Sequence, residues 1–294
     1  MQTHSTEFLT VHGQRLAIHQ WGAADAPPLF MLHGWMDVAA SFQFVVDALS
    51  QPWRVIAPDA RGFGQSAWPV RAKGGGHYYF PDYLADLDGV LDHYAPGQPV
   101  NLVGHSMGAN LACLYAGVRP ERVRRVVDLE GLGMNAGKTG DAPRRMAKWL
   151  DALRDPPRMR TYEALDGVAA QLRRTNPRLS TERAVFLAEH WSTRTADGRY
   201  EILGDPAHKI PGPTPYRLDE VMAIWSQIQA PVLHVEGRDS VTLRHIAGDT
   251  PEDEFRARFK AVPDWREMFI EEAGHMLHHD QPEAVAALIE RFCA

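Results

Sequence analysis

The chain has 294 residues, 45% of them hydrophobic and 23% charged, with a formal net charge of −6. That is enough for a sizeable core in one large α/β domain carrying an insertion, and the charge excludes the basic footprint of a nucleic-acid partner. Two cysteines exclude a disulfide framework, and with no N-terminal leader pattern and no run near the ~18 apolar residues of a membrane span, a cytoplasmic protein without membrane contact is expected.

In chain order, Glu7 to Val11 and Arg15 to Trp21 flank a His12-Gly13-Gln14 turn and predict an opening hairpin. Short apolar runs then recur at Leu29 to Leu32, Val55 to Ala57, Val100 to Val103, Val123 to Leu129, Val232 to Val235 and Glu267 to Ile270. They read as buried strands of a mainly parallel sheet. Helical patterns at Ser41 to Leu49, Tyr79 to Tyr94, Met107 to Val118, Glu252 to Ala261 and Pro282 to Phe292 alternate with them, as a doubly wound fold requires. One interval breaks the alternation. Gly133 to Gln229 has amphipathic patterns at Arg144 to Arg154, Thr161 to Thr175 and Thr181 to Arg194, with a Pro- and Gly-rich stretch from Gly204 to Pro215. It reads as an inserted helical cap on a core of residues 1–132 and 230–294. The one low-complexity tract is Gly74-Gly75-Gly76.

The chemistry concentrates at Gly104-His105-Ser106-Met107-Gly108, between a predicted strand and a predicted helix. A serine hydroxyl is a weak nucleophile at neutral pH, so it must be exposed, placed beside a base and set near oxyanion donors. A strained strand-to-helix turn supplies that setting, and Gly104 and Gly108 keep strand and helix backbones from colliding. His33-Gly34-Trp35 follows the Leu29 to Leu32 strand, which places the Trp35 and Met107 N–H groups as a candidate oxyanion pair and leaves room at Gly34. Trp35 and Met36 are candidate substrate-lining side chains. Gly274-His275-Met276, after the last strand, returns an imidazole to the same sheet edge. Of 14 histidines, position singles out His275 as base; His105 reads as a packing residue, His33 as ordering the Gly34 loop, and His278 and His279 as solvated. Cys113 reads as a buried apolar residue.

With these motifs in hand, the chain resembles the α/β-hydrolase family over nearly its whole length. The resemblance rests on the His33-Gly34 loop, the Asp59-Ala60-Arg61-Gly62-Phe63-Gly64-Gln65-Ser66 stretch, the Ser106 elbow and the Gly274-His275 loop, in that order. It implies an eight-stranded, mostly parallel sheet flanked by helices, a cap between the sixth and seventh strands, and a serine nucleophile activated by histidine. It also implies a structural role for Asp59 to Ser66.

The triad acid departs from the family pattern. Gly237 is followed by Asp239 one place earlier than usual, while some capped relatives take their acid from the end of the sixth strand, where Glu130 stands. Glu130 is the expected acid, with Asp239 and then Asp128 as alternatives. The reaction expected is hydrolysis of a carboxylic ester or related acyl bond of a small molecule through an acyl-enzyme on Ser106, with no cofactor or metal. A C–C hydrolase, a lactonase and a perhydrolase would use the same triad, and a non-catalytic ligand receptor is the rival of another class. Dehalogenase and epoxide-hydrolase chemistry is disfavoured, because relatives that perform it carry aspartate at the position of Ser106.

Overall fold

The computed structural model describes residues 1–69 and 78–294, so the Gly74-Gly75-Gly76 tract lies outside the described residues. Strands β1 (Ser5–Val11) and β2 (Gln14–Trp21) form the expected hairpin. His12 and Gly13 make its turn at φ 48° and 78°, the left-handed pair that matches strand twist in a two-residue hairpin. The chain continues through β3 (Pro28–Leu32), α1 (Gln43–Ala48), β4 (Arg54–Pro58), α2 (Phe80–Tyr94), β5 (Val100–His105), α3 (Met107–Val118) and β6 (Val123–Leu129).

An insertion follows. It contains α4 (Ala142–Arg154), β7 (Thr161–Tyr162), α5 (Leu165–Thr175), α6 (Thr181–Trp191), β8 (Ser192–Arg194), β9 (Tyr200–Ile202) and α7 (Leu218–Trp225). The chain then returns through β10 (Val232–Gly237), α8 (Thr242–Ala247), α9 (Glu252–Arg256), β11 (Trp265–Ile270), α10 (Leu277–Asp280) and α11 (Pro282–Cys293).

Eight strands form one sheet in the order β1-β2-β4-β3-β5-β6-β10-β11, with β2 antiparallel to both neighbours and the remaining pairs parallel. Alternation along β3 explains the layering. Phe30 and Leu32 join one core with Leu87 and Val90 of α2 and Leu111 of α3, whereas Leu29 and Met31 join the other with Val45 of α1 and Ile289 of α11. Both faces of the strand are therefore buried, each large apolar side chain contributing roughly 1.5–3 kcal/mol. β11 differs from the expected buried strand. It is an edge strand with Arg266, Glu267 and Met268 exposed, and its charges discourage pairing with another chain.

The insertion is not wholly helical. β7, β9 and β8 form a small antiparallel sheet, so the helices expected over Thr161 to Thr175 and Thr181 to Arg194 are shortened at their β-branched and aromatic ends, Thr161-Tyr162 and Ser192-Thr193-Arg194. Ser180 caps α6 by accepting the Arg183 N–H at 3.1 Å. Val168 and Leu172 of α5 pack with Ala184 and Leu187 of α6 over Phe44 of α1. Helix α7 lies elsewhere: Val221 and Trp225 enter the main core beside α3, where a Cβ on Gly117 would come within 2.2 Å of the Ile224 carbonyl oxygen. The last part of the 133–229 interval is thus built into the α/β body. Among the described residues, no helix is long and apolar enough to cross a membrane.

Candidate active site

Loops leaving the carboxyl ends of β3, β5, β6, β10 and β11 meet at one edge of the sheet, the crevice where open α/β sheets bind ligands. Ser106 joins β5 to α3 at φ 50° and ψ −110°, a left-handed backbone rare for a residue with a Cβ. Its N–H donates to the Leu129 carbonyl at 2.8 Å and its carbonyl accepts the Asn110 N–H at 3.0 Å, so the turn is clamped on both sides. The two glycines are needed for space. A Cβ on Gly104 would lie 2.4 Å from Gly108 backbone, and one on Gly108 would lie 2.1 Å from the Leu32 carbonyl oxygen.

His275 is one-third exposed and joins the two other members of the site. Its Nε2 is 3.1 Å from Ser106 Oγ, and its Nδ1 is 3.1 Å from Glu130 Oε2. Glu130, just past β6, is buried and also has positive φ, 60°. Its carboxylate accepts the Gly237 N–H at 2.8 Å on Oε1 and the Ser240 hydroxyl at 2.7 Å on Oε2. Together with His275, three hydrogen-bonding groups surround the buried carboxylate, the partners a carboxylate needs away from water. Gly237 and Ser240 are supports that sequence reasoning did not pick out. The serine stands three places after the glycine, where the family pattern has its aspartate.

The alternative acids lie elsewhere. Asp239 points outward to Arg178 of the insertion, at 2.7 Å, with both side chains nearly half exposed. Asp128 is fully buried in a second network, its Oδ1 accepting the Gly131 N–H at 2.6 Å and sitting 3.2 Å from His234 Nδ1. His234 Nε2 is in turn 3.0 Å from Glu236, which Arg256 grips at 2.6 and 2.9 Å. Burial would lower the His234 pKa, but the Asp128 and Glu236 carboxylates outweigh it and raise it to about 9. Glu236 is held down to about 2, its burial outweighed by His234 and Arg256.

On the other side of Ser106, Gly34 lies tightly against the elbow: a Cβ there would sit 2.8 Å from His105 Nδ1 and 3.4 Å from Ser106 Cβ. His33 orders this loop, accepting the Ala60 N–H on Nε2 at 2.9 Å and donating from Nδ1 to the Gly34 carbonyl at 2.7 Å. Trp35 is half exposed, and the half-buried Met36 places its sulfur 3.2 Å from where a Cβ on Gly204 would be. Met107, at the first turn of α3, carries an N–H with no intrahelical acceptor. A narrow, mostly apolar cavity of ≈ 30 Å³ runs beside Met107 and Gly108, walled by Leu16, Leu32, Leu87 and Leu111. In the Asp59 to Ser66 stretch, Asp59 receives the Ala39 and Gln65 N–H groups at 2.8 Å each and contacts His19 at 3.1 Å.

Behind His275 is a buried imidazole stack. His105 donates from Nε2 to the His275 carbonyl at 2.9 Å, and its ring lies 4.2 Å from that of His278, which lies 4.1 Å from His279. His278 and His279 are buried rather than solvated, packed against Phe42 and Phe44 and facing Ser41. Burial and the neighbouring imidazoles hold His105 and His279 well below the ordinary histidine range. Among the described residues, Asp37, His105 and His278 form the one group with donor atoms close enough to hold a metal. Cys113 is buried, which pushes its thiol pKa up, so it packs and is not reactive.

The insertion reaches these loops directly. Trp191 donates to Asp37 at 2.9 Å, Arg183 to the His279 carbonyl at 2.7 Å and Asn176 to Asp280 at 2.7 Å, while Asp280 also accepts the Gly274 N–H at 2.9 Å.

A model of the alpha/beta hydrolase fold family matches residues 27–282. A serine hydrolase-like protein of Danio rerio is 29% identical over 99% of this chain and 89% of its own length. An AB hydrolase superfamily protein of Bacillus subtilis (strain 168) is 25% identical over 96% of both chains. Among solved structures, the thioesterase domain from the curacin biosynthetic pathway superposes with a TM-score of 0.84 at 26% identity, covering 98% of this chain and 99% of that one.

Proposed function

The chain belongs to the alpha/beta hydrolase fold family, and we propose that it is a serine hydrolase cleaving a carboxylic ester or related acyl bond of a small molecule through an acyl-enzyme on Ser106. One observation carries this reading: the His275 imidazole lies within hydrogen-bond reach of the Ser106 hydroxyl on one side and of the Glu130 carboxylate on the other.

In the proposed cycle, His275 Nε2 takes the Ser106 proton as Oγ attacks the carbonyl carbon, and Glu130 fixes the Nδ1–H tautomer and stabilises the imidazolium. The Trp35 and Met107 N–H groups receive the oxyanion. The imidazolium then protonates the leaving alkoxide, and water, deprotonated by the same imidazole, releases the acid. Epoxide opening or halide displacement by Ser106 would form an ether that water does not cleave, whereas an acyl-serine is readily hydrolysed. The likeness to a thioesterase domain adds thioesters to the acyl donors to be tested.

The inserted segment, Gly133 to Gln229 without its built-in helix α7, serves in this reading as a cap over the site. Its contacts to Asp37, Asp239, His279 and Asp280 support that role. In this reading Gly34, Trp35 and Met36, on the loop beside the elbow, face the acyl or alcohol group of the substrate. Two buried free cysteines suit a reducing, cytoplasmic setting.

The test is a panel of p-nitrophenyl esters of graded acyl length, a thioester, lactones and a vinylogous diketone, run beside fluorophosphonate labelling. Ester turnover with a single labelled peptide containing Ser106 is expected. Turnover of the diketone alone would move the reading to a C–C hydrolase, and no turnover with no labelling would overturn it in favour of a receptor.

A further inference from the structure

Three donor atoms behind the Gly34 loop have no use in the proposed cycle. Asp37 Oδ2, His105 Nδ1 and His278 Nδ1 are buried, and none has a hydrogen-bond partner among the described residues. Leaving such an atom unpaired costs roughly 1–3 kcal/mol, so three on one cluster of neighbouring side chains call for an explanation. One donor atom from each of the three residues lies within 4.8 Å of the other two, and His278 Nε2 is 3.7 Å from Asp37 Oδ2. Bonds of about 2.0–2.2 Å in a tetrahedral site put donors roughly 3.3–3.6 Å apart, so side-chain shifts of ~1 Å would close the cluster on an ion.

We propose that Asp37, His105 and His278 form a buried site for a transition-metal dication of the Zn²⁺ or Co²⁺ class. Two imidazoles and one carboxylate suit these borderline ions and not Mg²⁺ or Ca²⁺, which take oxygen donors. The surrounding hydrogen bonds orient the donors. His105 keeps Nδ1 for the ion while its Nε2–H donates to the His275 carbonyl at 2.9 Å, the outer contact that a metal-bound histidine makes. Asp37 Oδ1 is held by the Val38 N–H and the Trp191 indole N–H, both at 2.9 Å, leaving Oδ2.

The test uses the full-length protein, stripped with dipicolinate and titrated with Co²⁺ followed by visible absorption, with Zn²⁺ competition and metal analysis. One ion per chain is expected, with no binding of Mg²⁺ or Ca²⁺. Asp37→Asn and His278→Gln, checked for native circular dichroism, should each weaken binding by ~100-fold or more. His275→Ala should bind within a few-fold of the parent. Absence of Co²⁺ binding, or binding lost in His275→Ala and kept in His278→Gln, would overturn the site.

Discussion

Glu130 reaches His275 from the end of β6, its Oε2 3.1 Å from the imidazole Nδ1, although the two residues are 145 positions apart. The contact exists because β6 and β10 are neighbours: the Glu130 N–H donates to Val235 at 3.1 Å, and the loop after β10 lends Gly237 and Ser240 to the carboxylate. Asp239, on that same loop, turns to Arg178 instead.

Glu130→Gln should therefore cut kcat by ~10⁴-fold, because an amide can stabilise the wrong imidazole tautomer and carries no charge to offset the imidazolium. Asp239→Asn should stay within a few-fold of the parent, since it loses only a half-exposed ion pair. Steady-state kinetics on the best ester decides the matter, and the reverse ranking would move the acid to β10.

Ser106→Ala should lower kcat by ~10³-fold or more and abolish any pre-steady-state burst, because binding and the oxyanion donors alone remain. Stopped-flow release of p-nitrophenol measures both. A variant that kept most of its turnover would exclude Ser106 as nucleophile.

Gly104→Ala tests the elbow through folding and not through chemistry. The added methyl would stand 2.4 Å from the Ala109 nitrogen and Gly108 backbone, which cannot move aside without shifting α3 against β5. A loss of stability of about 1–3 kcal/mol or more is expected from urea unfolding. An unchanged midpoint would mean that strand and helix are further apart than described.

The His234 network makes stability depend on pH. Its folded pKa, about 9, is above the ordinary 6.5, so its contribution is complete below pH 6.5 and is lost as pH rises through about 9. Glu236 acts oppositely: its contribution is present above pH 4.5 and is lost as pH falls through about 2. Urea midpoints should fall between pH 6.5 and 9.5 in the parent, and the slope should flatten in His234→Gln. Equal slopes in the two proteins would remove the histidine from the account.

Much of the fold was legible in the sequence because local signals and tertiary demands agree along the sheet. Short apolar runs such as Leu29 to Leu32, bounded by turn residues, are too short for buried helices and read as buried strands, and the Ser106 elbow carries its glycines within four residues. Glu130 could be favoured but not separated from Asp239, since the choice depends on which strand end faces His275. Ser240 went unnoticed because its role is a single hydroxyl contact to a residue 110 positions away. His278 and His279 read as solvated because a polar run after a glycine loop has no local reason to be buried; Phe42, Phe44 and Ser41, more than 230 residues earlier, enclose them. Ser192-Thr193-Arg194 extended a helical period but pairs as a strand, a case of tertiary pairing overriding a short pattern.

The insertion leaves the sheet just after Glu130 and returns in the adjacent strand, where Leu129 already pairs with Val235. Its two ends are held together by the ladder whatever lies between them. The entropic cost of a longer excursion grows only with the logarithm of its length, about 0.6 kcal/mol per doubling for a flexible segment. Trimming or exchange of the segment ahead of α7, whose Val221 and Trp225 belong to the main core, therefore costs the scaffold little loop entropy and leaves the strand ends that carry Ser106, Glu130 and His275 in place.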